Sequence, residues 1–185
     1  MQNLFFRKAA IGDANAIVAI VNAAYRGEAS RKGWTTEADL LDGSRTDFAD
    51  VVVLLEAPDS LILLAEMGGH TGHTGTAIMG SVHLERTEED AEIAAFLGMF
   101  AINPEYQANG LGKQMMQAAE ARVQREWGAR RMLMDVISVR HELIAFYERR
   151  GYQLTGKTKP FPVNPDLWTP KAAKLELARM EKPLV

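Results

Sequence analysis

Gln107-Ala108-Asn109-Gly110-Leu111-Gly112 has the residue types and spacing of an anion site. An apolar run, Ile93 to Ile102, precedes it and reads as a buried strand. A helical pattern follows, with Leu111, Met115, Ala119 and Val123 at i, i+4 spacing and Gly128 as its stop. The first turn of a helix carries backbone N–H groups with no intrahelical acceptor, and its dipole favours negative charge. Gly110 and Gly112 remove side chains that would hold a pyrophosphate away from those groups. Two commoner phosphate loops are excluded. A P-loop needs Gly where Gln107 stands and Ser or Thr where Gln114 stands, and the dinucleotide fingerprint needs Gly at Met115.

A second segment adds to this reading. Met132 to Ile137 reads as a strand, and Arg140-His-Glu-Leu-Ile-Ala-Phe-Tyr147-Glu-Arg-Arg-Gly151-Tyr152 as a short helix ended by Gly151. Together the two segments resemble the GNAT superfamily of acyl-CoA-dependent N-acyltransferases. The first is similar to that family's Gln/Arg-x-x-Gly-x-Gly/Ala pyrophosphate loop. The second is similar to its Phe/Leu-Tyr-x-x-x-Gly-Phe/Tyr signature, in the family's order and separation. The resemblance covers about Ile93 to Tyr152.

The resemblance implies an α/β (α+β) fold: a mixed, mostly antiparallel central sheet flanked by helices, with CoA between splayed fourth and fifth strands. It implies acetyl-CoA as the acyl-donor cosubstrate. The backbone of Met99, Phe100 and Ala101 would pair with the pantetheine arm, whether or not their side chains are simply core. Gln107 and the N–H groups of Ala108, Asn109, Gly110, Leu111, Gly112 and Lys113 would hold the pyrophosphate. Tyr147 matches the signature tyrosine and would protonate the departing thiolate; its alternative is a core tyrosine beside Phe146. Arg140 stands where the family usually has an Asn that contacts the cofactor. The acceptor pocket would use Tyr25, Glu28, Trp34 and Glu37, the carboxylates attracting a cationic amine. Phe161 and Trp168 are further candidates for pocket or homodimer contact.

The base is the weakest part of the pattern. Ile93 to Ile102 holds no carboxylate, and Phe96 sits where some family members carry Glu. Glu92, Glu85, His83, Glu28 and Glu37 are each candidates through a water relay. Gly98 permits a bulge or close approach. His70 and His73 could bind a metal but lack a third ligand. His141-Glu142 begins a zinc-protease motif that fails at Ala145.

Composition bounds the rest. The 185 residues predict one domain, 1–185, and 47% hydrophobic content is ordinary for a globule. A net charge of −3 does not suggest a nucleic-acid binder. The absence of cysteine excludes thiolate chemistry and is compatible with a cytoplasmic protein. Met1 to Lys8 is unlike a signal peptide, and no apolar run reaches the roughly 20 residues of a membrane span.

The remaining elements follow from pattern. Leu4 to Ala9 reads as a strand. Asp13 caps a helix with the stripe Ile17, Ile20, Val21 and Ala24, ended by Gly27. Thr36-Glu-Ala-Asp39 predicts a short helix through Leu41, and Phe48 to Leu55 another. Leu61 to Glu66 and Ile78 to Arg86 read as a hairpin joined through Gly68 to Gly75. Thr87 to Asp90 reads as a turn, 160–170 as a Pro-rich irregular connection, and Lys174 to Met180 as the closing strand. The competing readings are an amine N-acetyltransferase and a non-catalytic CoA-binding or sensory domain. A peptide-binding scaffold would leave the glycine loop as coincidence.

Overall fold

The structure is a computed structural model that describes residues 4–68, 77–171 and 174–184. The imidazoles of His70 and His73, and the loop joining the first hairpin, lie outside these residues.

Seven strands form the main sheet. They are β1 (Leu4–Lys8), β3 (Ser60–Met67), β4 (Ala77–Glu89), β5 (Glu92–Ile102), β6 (Arg131–Ile137), β7 (Gln153–Pro160) and β9 (Glu176–Pro183), in the order β1-β3-β4-β5-β6-β9-β7. Every neighbouring pair is antiparallel except β5 and β6. Two short strands, β2 (Leu41–Gly43) and β8 (Trp168–Pro170), pair separately.

β3 shows why the strands read as unbroken apolar runs. Leu61, Leu63 and Ala65 pack with α4 (Leu111–Trp127) on one face. Ile62 and Leu64 pack with α1 (Ala14–Tyr25) on the other. A strand covered on both faces has no solvent side to make polar. The stripe expected of α1, Ile17, Ile20, Val21 and Ala24, is buried, and Met115, Ala119 and Val123 of α4 are its counterparts across the sheet. The remaining helices are α2 (Gly27–Ser30), α3 (Phe48–Glu56) and α5 (His141–Glu148).

Three local expectations are corrected. Thr36 to Leu41 is not a helix: the Thr36 hydroxyl accepts from the Ala38 N–H (3.2 Å) and meets the Ser30 hydroxyl at 2.6 Å, while Glu37 turns inward to Arg26. The helix-start spacing here makes a side-chain turn instead. Thr87 to Asp90 is not a polar turn either, because β4 and β5 run on until Glu89 faces Glu92. Asp90 and Ala91 close the hairpin with φ of 54° and 62°, the double positive φ of a type I′ turn. The Pro-rich connection contributes β8, whose Trp168 pairs with Gly43.

The main functional consequence comes from one extra residue. Between the pairs His83–Gly98 and Ser81–Ala101, β4 advances two residues and β5 three. Met99 takes up the surplus with φ of 44°, a β-bulge that bends β5. Pairing of β5 with β6 accordingly ends at Leu97–Met134, whereas β6 stays paired with β9 to Ile137–Leu177. The two strands part, and β5 from Gly98 to Ile102 leaves an edge that β6 does not cover. Sequence anticipates this bulge only through Gly98; the distorted residue is its neighbour.

Candidate active site

The glycine loop sits at the end of the open β5 edge. Ala108 and Gly110 have φ of 69° and 77°, and such alternating backbone turns successive N–H groups toward one side. Gly110 is required by its φ rather than by space, since an added Cβ would meet nothing within 4 Å. Gly112 is required by space beyond a methyl: its Cβ would lie 3.4 Å from Phe146 and 3.8 Å from Phe100, and larger groups would enter the cavity those rings line. The first intrahelical bond of α4 runs from Gln114 N–H to Gly110 O (3.2 Å), so the N–H groups of Leu111, Gly112 and Lys113 have no intrahelical acceptor. Lys113 and Arg149, exposed and without an ion pair among the described residues, line the same cavity. These groups fit a pyrophosphate.

Gln107 lines the same cavity and also ties two segments together. Its amide accepts from Trp34 N–H (2.9 Å) and donates to the Thr35 hydroxyl (2.9 Å) and to Ile102 O (3.0 Å). It ties the loop after α2 to the end of β5. Arg140 is likewise committed. Its guanidinium donates to the carbonyls of Trp34, Thr35 and Thr36 and to Glu142, and it lines neither of the cavities described here. The Asn109 and Leu111 side chains also lie off the cavity wall.

Tyr147 stands where two cavities meet. One, of about 420 Å³, includes the glycine loop; the other, of about 240 Å³, opens between β5 and β6 beyond the point where they part. Tyr25, Phe100, Leu143 and Tyr147 line both. Tyr147 is 5% exposed, its ring lies edge-on to Phe146 and Tyr152, and no protein group among those described bonds its hydroxyl. Burial pushes its phenol well above the usual range, with Tyr25 adding to the shift, so it stays protonated. Tyr25, which burial also raises, donates its hydroxyl proton to the Phe100 carbonyl. That bond occupies one acceptor on the open β5 edge. Ala101 faces Ser81 of β4 instead, and Met99 lines only the smaller cavity.

The profile of the Acetyltransferase (GNAT) family matches residues 16–152, most of the chain. The chain belongs to this family. As a GNAT protein it is an N-acetyltransferase with acetyl-CoA as cosubstrate. No curated protein matches the sequence. Among solved structures, it is similar to a protein from Salmonella typhimurium assigned as an acetyltransferase and solved with acetyl-CoA (19% identity, 98% and 94% of the two chains, TM-score 0.66). It is similar to the ribosomal-protein-S18-alanine N-acetyltransferase of Escherichia coli (14%, 98% and 94%, TM-score 0.66). It is also similar to the spermidine/spermine N-acetyltransferase of Vibrio cholerae (15%, 98% and 92%, TM-score 0.65). At these identities the likeness is one of fold.

Within the GNAT frame the acceptor residues expected from sequence separate. Tyr25 and Glu37 line the smaller cavity. Trp34 instead packs on Phe146 at 5.2 Å beside the glycine loop and lines the larger one. Glu28 points to solvent, 90% exposed, and pairs with Arg31. Of the five groups considered as bases, Glu37 alone lines the smaller cavity, and it is ion-paired with buried Arg26. Glu92 pairs loosely with Arg131, Glu85 lies beside a third, surface groove, and His83 is bonded through Nε2 to Ser60 (2.9 Å). Burial holds His83 down at about 4, with the Arg45 charge adding to it, so it is neutral near pH 7.

Four charged residues of the smaller cavity were not anticipated: Arg26, Arg45, Asp135 and Lys159. Asp135 of β6 is gripped by Arg179 (2.5 Å) and Lys159 (2.7 Å), and these bonds hold its carboxyl below the usual range against the opposing effect of burial. Its single acid in the run Met-Leu-Met-Asp-Val-Ile was the available signal. Phe161 and Trp168 stack edge-on at 6.3 Å on this cavity's wall, which supports the pocket reading of that pair. Among the described residues no helix is long and apolar enough to cross a membrane, and no group of acids and histidines could hold a metal.

Proposed function

We propose that this single domain, working in the cytoplasm, acetylates an amine by direct attack on the thioester of acetyl-CoA. The observation that carries the reading is the meeting of the two cavities at Tyr147 and Phe100. Acetyl-CoA supplies the activated acetyl group. The N–H groups of Leu111, Gly112 and Lys113 hold its pyrophosphate, and the uncovered β5 edge at Phe100 receives the pantetheine arm. The acceptor amine comes from the smaller cavity. Its nitrogen bonds to the acetyl carbon as the carbon–sulfur bond breaks, and one amine proton is lost. Tyr147, protonated and without a partner for its hydroxyl among the described residues, donates to the departing thiolate. The amine proton leaves through water in the smaller cavity, whose wall carries the carboxylates Glu37 and Asp135, and a proton from solvent restores the Tyr147 phenol.

The second reading, a CoA-binding domain without catalysis, is favoured by one observation: β5 has no carboxylate after Glu92. Thiol release from acetyl-CoA across a broad amine panel decides between them. Amine-dependent release supports transfer; tight CoA binding with no release from any amine supports the second reading.

A further inference from the structure

The smaller cavity carries more positive charge than its own acids neutralise. Glu37 is taken by Arg26, and Asp135 by both Lys159 and Arg179. Arg45 remains. Arg45 lines the cavity, half-buried, its guanidinium has no hydrogen bond or ion pair among the described residues, and its charge is felt at the Tyr25 phenol and the His83 imidazole. Its backbone, by contrast, is firmly held. Asn22 of α1 accepts from the N–H groups of Arg45 (2.7 Å) and Thr46 (3.3 Å) and donates to Thr46 O (3.0 Å). A guanidinium carried on a fixed backbone and left without a protein partner is available to bind an anion. Arg26 adds to it: 5% exposed, it bonds Glu37 through Nη1 while Nε and Nη2 find no partner among the described residues. Buried guanidinium nitrogens without acceptors are costly, and an anion in the adjoining cavity relieves that cost electrostatically.

We propose that the acceptor is a small amine carrying a carboxylate in the same molecule, an amino acid, with Arg45 as its carboxylate receptor. This assignment rests on the acetyl-transfer reading of the site. The product is then an N-acetyl amino acid, formed together with free CoA thiol. A polycationic amine would meet Arg45 with every wall carboxylate already paired. The positive field also lowers the pKa of the bound ammonium, which assists formation of the neutral nucleophile in a site whose β5 strand brings no base.

The test compares the common α-amino acids with their α-carboxamides and with spermidine, on the wild-type protein, Arg45→Gln and Arg45→Lys. Two readouts are taken: thiol release from acetyl-CoA, and the melting temperature in the presence of CoA. For at least one side chain the acid exceeds its amide by roughly 10- to 100-fold in kcat/KM, the usual value of a charge-assisted contact. Arg45→Gln collapses that ratio toward one, and Arg45→Lys retains part of it. The inference is overturned if amides or spermidine serve as well as the best acid, if Arg45→Gln keeps the preference, or if no acid either reacts or stabilises. Turnover without acid preference leaves transfer standing and removes only this inference. Stabilisation by acids but not amides, lost in Arg45→Gln and unaccompanied by turnover with any amine, keeps the carboxylate site and removes the transfer reading. If Arg45→Gln does not fold, the wild-type ratio and Arg45→Lys decide.

Discussion

Tyr147 shows how burial selects a role for one hydroxyl. A phenol shut away from water keeps its proton, and one with no protein acceptor has it to give. Tyr147→Phe removes only that hydroxyl and leaves the ring against Phe146 and Tyr152, so folding is retained. Since the hydrogen bond to sulfur strengthens as the bond breaks, turnover should fall by about 10²–10⁴-fold with CoA affinity little changed. Steady-state kinetics together with a CoA titration check this; near-normal turnover returns Tyr147 to the core. Sequence singles the tyrosine out because its signature ties it to Gly151 and Tyr152. Arg45 and Arg26 were not legible, because nothing in a lone arginine's neighbours tells whether it will find a carboxylate. Among the described residues Arg26 found Glu37 and Arg45 found no carboxylate, and only tertiary packing decides that.

At the scale of elements, the strand, glycine turn and helix around Gly110 were legible because each has a local cause: an apolar run, a residue free to take positive φ, and an i, i+4 stripe. The role of each glycine was not, since a positive φ and a crowded wall leave the same letter. Gly112→Trp separates them. The indole would project among Phe146 and Phe100 without straining the backbone, so the variant should fold yet lose most CoA binding, seen as a lost thermal shift with acetyl-CoA. Binding equal to the parent would show that the cavity is not the cofactor's path. The failed helix at Thr36 has the opposite lesson. The Thr-x-x-acid spacing favours a helix start, but Glu37 gains an ion pair with Arg26 and the segment instead becomes the strap that Gln107 and Arg140 bind.

For the whole molecule, the mixed sheet and its two-sided cover were legible from the chain order of strand and helix patterns, whereas the strand order within the sheet was not, and the parting of β5 and β6 depends on a single bulged residue. Where the sheet remains closed, its burial has a thermodynamic signature. His83 is held at about 4 by burial, below its ordinary value near 6.5. Between those values the unfolded chain binds a proton that the folded chain does not, so stability falls as pH drops from 6.5 toward 4 and changes no further from this group below that. The contribution is at most about 3 kcal/mol. Chemical denaturation from pH 7 to pH 4 should show a steeper loss for the wild type than for His83→Gln; parallel curves would mean that the imidazole is not sequestered.

The most direct test of the account is the structure of the protein crystallised with CoA. The account predicts the pyrophosphate on the N–H groups of Leu111 to Lys113, the pantetheine beside Phe100 in the gap between β5 and β6, and the sulfur within hydrogen-bond reach of the Tyr147 hydroxyl. A CoA molecule bound elsewhere, or one whose sulfur lies away from Tyr147, would contradict it.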